Sequence, residues 1–318
     1  MNANRHLLVK QVRHEAACVI SVLLVDPDGA DLPAWEPGAH VDLVLPSGVV
    51  RQYSLSGDPA DRKAYRVGVL DEPESRGGSR WIHRDLRVGT LLEVSEPRNH
   101  FRFTGDPGQV RFVAGGIGIT PILPMIREAQ ARGLDWHLTY GGRARCSMAF
   151  VEELPPERVS IKPQDEYGHL DLHEAVGLPE AHKYVYACGP SPLLAALEEH
   201  CKDWPDGALR MERFAAPEAE PADHAEDEVV GDIEVRADRS GIETVVPEGE
   251  SIMDCLEKAG VNTPFSCREG ICGSCETKVL EGVPSHHDYV LTNDEKAEGN
   301  TMMICVSRAK SHRLVLDI

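Results

Sequence analysis

The chain has 318 residues, a net charge of −19 and nine cysteines. That length admits two or three domains. The acidity excludes nucleic acid as the natural partner, whose phosphates it would repel, while permitting a protein with a basic patch or simply serving solubility. No apolar run is long enough to cross a bilayer, and residues 1–10 are polar and mildly basic without the apolar core of a secretory leader. A reducing cytoplasmic setting is therefore expected, one that suits thiolate chemistry.

Residues 1–105 carry short alternating strands at 19–25, 40–45, 50–55, 65–70 and 91–95, divided by Gly/Pro turns and without helices. This pattern predicts a closed antiparallel β-barrel. Two segments in it carry chemistry. In Arg51-Gln52-Tyr53-Ser54-Leu55 the guanidinium can fork onto phosphate and the phenol ring can lie against a planar ligand. In Arg76-Gly77-Gly78-Ser79 backbone and hydroxyl donors join a second cation. Surface ion pairs and a core-packed tyrosine account for the same residues taken singly.

Residues 106–216 alternate strand and helix. A strand at 110–114 runs into Gly115-Gly116-Ile117-Gly118-Ile119-Thr120-Pro121, then a helix with Ile122, Met125, Ile126 and Ala129 on one face. Thr120 reads as its N-cap, Pro121 suits the first turn and Gly133 ends it. Strands at 136–140 and 184–187 and a helix from Pro192 to about Cys201 complete a parallel α/β sheet. The glycine turn aims backbone N–H groups at a dinucleotide pyrophosphate, although Gly-x-Gly-x-x-Pro also serves a merely tight connection. Ala187-Cys188-Gly189-Pro190 forms a second turn at the same carboxyl edge of the sheet, where ligands gather. After the second strand, Arg143 and Arg145 stand where a 2′-phosphate, a pyrophosphate or solvent would meet them.

Residues 217–228 hold six acids and no Lys or Arg, which predicts an extended linker. Beyond it, 229–318 reads as a small sheet-plus-helix domain. Strands lie at 232–237, 242–246, 276–280 and 313–317, and a helix at 251–259 runs from Ser251 as N-cap to Gly260 as C-cap. Cys267, Cys272 and Cys275 crowd one loop, and Cys305 follows after 29 residues. That spacing is the plant-type ligand pattern of a 2Fe–2S cluster, with Gly270 and Gly273 giving the backbone room to approach the sulfides. Structural zinc usually takes two paired Cys-x2-Cys units, and only Cys272 and Cys275 form one. An odd cysteine count argues against a disulfide framework. Cys18, Cys146, Cys201 and Cys255 read as small buried hydrophobes, and His286 and His287 as surface residues.

Taken in order, Arg51-x-Tyr53-Ser54-Leu55, Arg76-Gly-Gly-Ser79, Gly115-Gly-Ile-Gly-Ile-Thr-Pro121, Ala187-Cys-Gly-Pro190 and the C-terminal cysteines resemble the phthalate dioxygenase reductase family over nearly the whole chain. The resemblance implies an FMN-binding barrel, an NAD domain of the ferredoxin-reductase type and a β-grasp ferredoxin. It implies electron transfer from NADH to a separate terminal oxygenase, of the Rieske non-haem iron type rather than a cytochrome P450. It places Arg51, Tyr53 and Ser54 along the flavin and Arg76, Gly77, Gly78 and Ser79 at its phosphate. Gly116, Gly118 and Thr120 would meet the dinucleotide, with Cys188, Gly189 and Pro190 near the nicotinamide and Phe214 over the flavin, unless that phenyl packs on its own domain. Ser54, Thr120, Cys188 and Phe214 are thus the catalytic candidates, and no side chain is needed as a general acid or base. NADH is expected over NADPH. A redox carrier without nicotinamide turnover is the reading from a different class.

Overall fold

The computed structural model describes residues 4–72, 77–105, 108–216 and 228–318. They fall into two units, Met1–Phe214 and Ala215–Ile318.

The first unit opens with β1 (Arg5–Ala16), which turns Leu7 and Val9 inward and returns as β2 (Val19–Val25). Then come β3 (His40–Val44), β4 (Val50–Ser54), β5 (Ala64–Leu70), helix α1 (Gly78–Arg84) and β6 (Leu91–Val94). The antiparallel order is β4-β3-β6-β1-β2-β5. A bridge between Leu55 and Val67 joins the two end strands, which removes the open edges and closes the barrel. Val9, Val22, Leu24, Val41, Leu43, Leu55 and Val67 fill it. The expectation of strands alone missed β1, concealed in a polar stretch, and α1, whose Ile82 joins the barrel core.

The chain continues through β7 (Gln109–Gly115), α2 (Ile119–Ala131), β8 (Asp135–Gly142), β9 (Val159–Pro163), α3 (Gln164–Tyr167), α4 (Leu172–Val176), β10 (Lys183–Cys188), α5 (Ser191–His200) and β11 (Leu209–Glu212). These five strands are parallel in the order β11-β10-β7-β8-β9. Ile122, Met125, Ile126 and Ala129 are all buried on α2, as their spacing requires. Thr120 is not the N-cap of α2. Gly118 holds that place, and the Thr120 hydroxyl, inside the first turn, donates to the Ile117 carbonyl at 3.0 Å. The barrel is fastened to this α/β layer by Glu153, which accepts from Arg66 at 2.6 Å and from Arg127 at 2.9 Å, while Arg66 also lies over the Phe150 ring.

In the second unit, β12 (Ile233–Ala237) and β13 (Ile242–Val246) form a hairpin followed by α6 (Ile252–Lys258). Ser251 caps α6 by accepting from the Asp254 N–H at 3.0 Å. Then follow β14 (Glu276–Glu281), β15 (Pro284–Ser285), α7 (Asn293–Glu298), β16 (Thr301–Met303), β17 (Arg308–Ala309) and β18 (Arg313–Leu316). The sheet order is β13-β12-β18-β14-β16, with β12 and β18 parallel and α6 packed on its core, a β-grasp arrangement. Residues 217–227 of the expected linker lie outside the described residues. Among the described residues no helix is long and apolar enough to cross a membrane.

Candidate functional site

Of the barrel motifs, Arg51 and the turn at 77–79 lie side by side. Arg51 on β4 runs past the start of α1 so closely that a Cβ on Gly78 would stand 2.7 Å from its Nε. Gly77 takes φ +97° with open space where a Cβ would be, leaving its backbone approachable. The Ser79 hydroxyl accepts from the Glu72 N–H at 3.3 Å. Tyr53 is half-buried against the barrel core, and burial raises its phenol well above the usual range, so it stays un-ionised. Arg76 lies outside the described residues.

The two glycine turns of the α/β layer also meet. A Cβ on Gly118 would stand 2.5 Å from the Cys188 carbonyl carbon, and one on Gly115 would stand 2.6 Å from Pro190 Cδ. Glycine is required at Gly118 because backbone packs on backbone, and at Gly115 because the Pro190 ring and Leu193 fill the space. Gly116, at φ +55°, instead faces open space, so an anion can approach its N–H closely. Arg143 and Arg145 lie at the neighbouring edge of β8. The Arg143 carbonyl accepts from the Asp165 N–H at 3.2 Å, and Arg145 pairs with Glu166 at 3.4 Å. Phe214 is 43% exposed and belongs to none of the hydrophobic cores.

Barrel and α/β layer converge on one buried polar group that the sequence reading did not single out. His40 and Ser54 face each other across β3 and β4, and Cys188 and Glu212 are register partners on β10 and β11. The Ser54 hydroxyl donates to Glu212 Oε2 at 3.1 Å, and His40 Nδ1 stands 4.0 Å from Glu212 Oε1. Burial pushes the Glu212 carboxyl up to about 8, with the Ser54 hydrogen bond acting against the shift. Burial, reinforced by Glu212, holds the Cys188 thiol well above its ordinary value. Near neutral pH this floor is a protonated acid, a hydroxyl, a thiol and a neutral imidazole. The residues fit a flavin with a nicotinamide stacked on it: polar groups sit at the buried end and phosphate-accessible glycines flank it on both sides. Glu212 was passed over because its significance depends on β11 pairing with β10, which no local motif announces.

In the second unit the four cysteines converge. The Cys272 thiol interacts with Cys267, and the Cys305 thiol with Cys275 and Cys267. Backbone N–H groups of Glu269 and Ser274 point at the sulfurs of Cys267 and Cys272, at 3.2 and 3.5 Å. The loop manages this with left-handed backbone at Arg268, Gly270 and Gly273. Arg268 is held in turn by Asp254 and Glu257 and stacks over Phe265 at 4.0 Å. Four thiols within reach of one another, two of them supplied with backbone N–H donors, fit a dinuclear iron–sulfur cluster. Of the other cysteines, Cys201 and Cys255 are buried as expected, whereas Cys18 and Cys146 are exposed, Cys18 because it occupies the β1–β2 turn. The expectation of surface histidines fails for His286, whose side chain is 8% exposed beside Asp288. His287 pairs with Glu228 at 2.7 Å.

Residues 235–310 match the family model described as a 2Fe-2S iron-sulfur cluster binding domain. The chain is 44% identical over 303 residues to the phenoxybenzoate dioxygenase subunit beta of Ectopseudomonas oleovorans, covering 93% of each chain. It is 37% identical over 302 residues to the phthalate dioxygenase reductase of Burkholderia cepacia, covering 93% of this chain and 91% of the other. A solved structure of phthalate dioxygenase reductase superposes with a TM-score of 0.71 at 36% identity, covering 99% of this chain and 98% of that one. An intact type IV self-sufficient cytochrome P450 monooxygenase superposes with a TM-score of 0.92 at 42% identity, this chain spanning 41% of that protein's length. Similarity at this level over nearly the full length makes the chain a member of the phthalate dioxygenase reductase family, an oxidoreductase of the flavin and iron–sulfur kind that serves oxygenase systems.

Proposed function

We propose that this chain takes electrons from NADH through FMN to a 2Fe–2S cluster and delivers them to a separate terminal oxygenase of the Rieske non-haem iron type. The barrel at 1–105 would hold FMN, 106–216 the dinucleotide and 229–318 the cluster, with 217–228 as linker. The observation that carries the reading is the meeting of Ser54 and Cys188 at one buried floor, in a chain that also gathers four thiols. When bound, FMN accepts hydride from NADH as a two-electron unit and releases electrons singly, which is what a one-electron cluster needs.

The protein's own part is positioning. Arg51, Gly77, Gly78 and Ser79 anchor the flavin phosphate and Tyr53 steadies its ring. Gly116, Gly118 and Thr120 seat the dinucleotide, and Cys188, Gly189 and Pro190 shape the nicotinamide pocket. Cys267, Cys272, Cys275 and Cys305 ligate the cluster. NADH is favoured because Arg145 is already taken up by Glu166, and Asp165 stands beside it. A 2′-phosphate arriving there would meet negative charge. A kcat/KM for NADPH above that for NADH would refute this assignment.

The test of the pathway is an anaerobic titration with NADH followed by visible absorbance. Flavin and iron–sulfur bands should both bleach. Bands that stay oxidised with NADH and NADPH alike would favour a carrier without turnover. A cytochrome P450 partner is the second reading, favoured by the close superposition on a P450 monooxygenase. Supplying each oxygenase type and following reduction of its iron centre decides between them.

A further inference from the structure

A buried hydroxyl stands directly behind the glycine turn on which the dinucleotide reading depends. Tyr140 lies on β8 and is fully buried. Its phenol reaches two main-chain oxygens, donating to the Gly116 carbonyl at 3.1 Å and to the Ala149 carbonyl at 3.2 Å. One proton thus serves both acceptors as a three-centre bond. Phenylalanine would meet the needs of apolar packing alone; the hydroxyl adds these two contacts.

The Gly116 carbonyl also accepts from the Ile119 N–H, which closes the 3-10 turn Gly116–Gly118. Tyr140 is its second donor, and a carbonyl has two lone pairs to offer. In a trans peptide the C=O and the next N–H point in opposite directions. Drawing the Gly116 oxygen inward onto Tyr140 therefore turns the Ile117 N–H outward. That N–H lies in the first turn, where no carbonyl of the helix reaches it. Gly116 holds φ +55° with open space beside it, a conformation that a glycine leaves easily when nothing braces it. The other acceptor precedes Phe150, a non-glycine residue at φ +62°. Such backbone persists only where neighbours over-determine it. Here the Phe150 ring lies under the Arg66 guanidinium and against Gly68 of β5, where a Cβ would stand 3.3 Å from Cζ. Tyr140 thus ties a pliable turn to a clamped segment.

We propose that Tyr140 is a positioning residue for the dinucleotide, its hydroxyl bracing the Gly116 carbonyl against the Ala149 segment so that the Ile117 N–H is aimed at the pyrophosphate before the ligand arrives. This rests on the reading of Gly116 and Gly118 as the dinucleotide seat given above. The side chain acts from behind the turn, through main chain alone. Its contribution is preorganisation: a turn already ordered spares the ordering cost that binding would otherwise carry. The effect therefore belongs to affinity for the dinucleotide, not to the rate of hydride transfer once it is bound.

The holoprotein and its Tyr140→Phe variant, which keeps the ring and lacks only the hydroxyl, provide the test. Without nucleotide, amide hydrogen exchange over residues 116–119 should quicken severalfold in the variant. The dissociation constant for NAD+, titrated at equilibrium with the oxidised protein, should rise roughly three- to tenfold, the size of one hydrogen bond. Flavin content and the rate of flavin bleaching at saturating NADH should stay within about twofold. Exchange that quickens at 149–151 and not at 116–119 would overturn the proposal, as would an unchanged dissociation constant. So would a saturating rate that falls as far as the affinity, because the hydroxyl would then serve the fold at large. Wild-type protein that neither binds NAD+ nor bleaches with NADH would count against the dinucleotide reading, while exchange at 116–119 still decides whether Tyr140 holds the turn.

Discussion

At the scale of single residues, Gly118 shows how tightly backbone geometry is drawn at the site. An added methyl would meet the Cys188 carbonyl group, which is fixed main chain and cannot rotate away. Gly118→Ala should therefore part the two turns, cost about 1–3 kcal/mol as overpacking does, and raise the KM for NADH more than it lowers flavin content. Unchanged KM and melting temperature would show that the turns can give. Cys305→Ser makes the complementary test in the other unit. It should abolish the iron–sulfur absorbance and lower NADH-driven cytochrome c reduction roughly tenfold or more, with bleaching of the flavin by NADH retained. Glu212 supplies a pH dependence. Its folded value of about 8 lies above its ordinary 4.5, so the folded protein keeps a proton that the unfolded chain has lost. The stability tied to that proton is complete below pH 4.5 and fades as pH rises through 8. Glu212→Gln should remove a loss on the order of 3–5 kcal/mol between those limits. Melting curves at pH 5 and pH 9 that fall in parallel for both proteins would contradict it.

At the scale of elements, local signals and tertiary ones separate cleanly. The strands at 19–25 and 242–246 and the helix capped by Ser251 were legible because period and caps are written within a few residues. Strand β1 was not, since its burial alternates irregularly through two register shifts against β2 and leaves polar side chains between the inward ones. Strands β9 and β11 are short and only half-buried at the sheet edges, so neither shows the apolar run of a central parallel strand. With β11 went Glu212, the acid that completes the candidate site. The join between barrel and α/β layer was equally hidden: Arg66, Arg127 and Glu153 lie on three distant segments, and only the fold makes them one ion-pair group. Glu153 is held below the usual carboxylate range by those arginines, against the opposing effect of its burial. Removing it leaves two partly buried guanidinium groups facing each other. Glu153→Ala should destabilise the first unit by about 2–3 kcal/mol, less than a fully buried pair would cost because the side chains retain some solvent. The effect would register as a melting temperature lowered by several degrees and earlier release of flavin fluorescence. A melting temperature within about one degree of wild type would mean that apolar packing alone holds the layers together.

At the scale of the whole molecule, the acidity that first excluded nucleic acid becomes an argument about encounter. A chain of net charge −19 attracts a partner through the field of many charges rather than through any one ion pair. Around the cysteine loop the surface is mixed: Phe265 and Tyr289 are 43% and 48% exposed, and Arg268 is engaged by Asp254 and Glu257. Such a surface offers a small apolar contact in an acidic setting, suited to brief docking with a basic face on an oxygenase. Because exposed charges separated by more than about 10 Å are screened at 0.1 M salt, the second-order rate of oxygenase reduction should fall by roughly an order of magnitude when ionic strength rises from about 0.05 to 0.5 M. Bleaching of the protein's own flavin by NADH needs no encounter between two proteins, so it should change far less. Stopped-flow measurement of both steps on the same preparation separates them. A transfer rate indifferent to salt would place the recognition in the apolar contact at Phe265 and Tyr289, and substitution of those two side chains would then carry the larger effect.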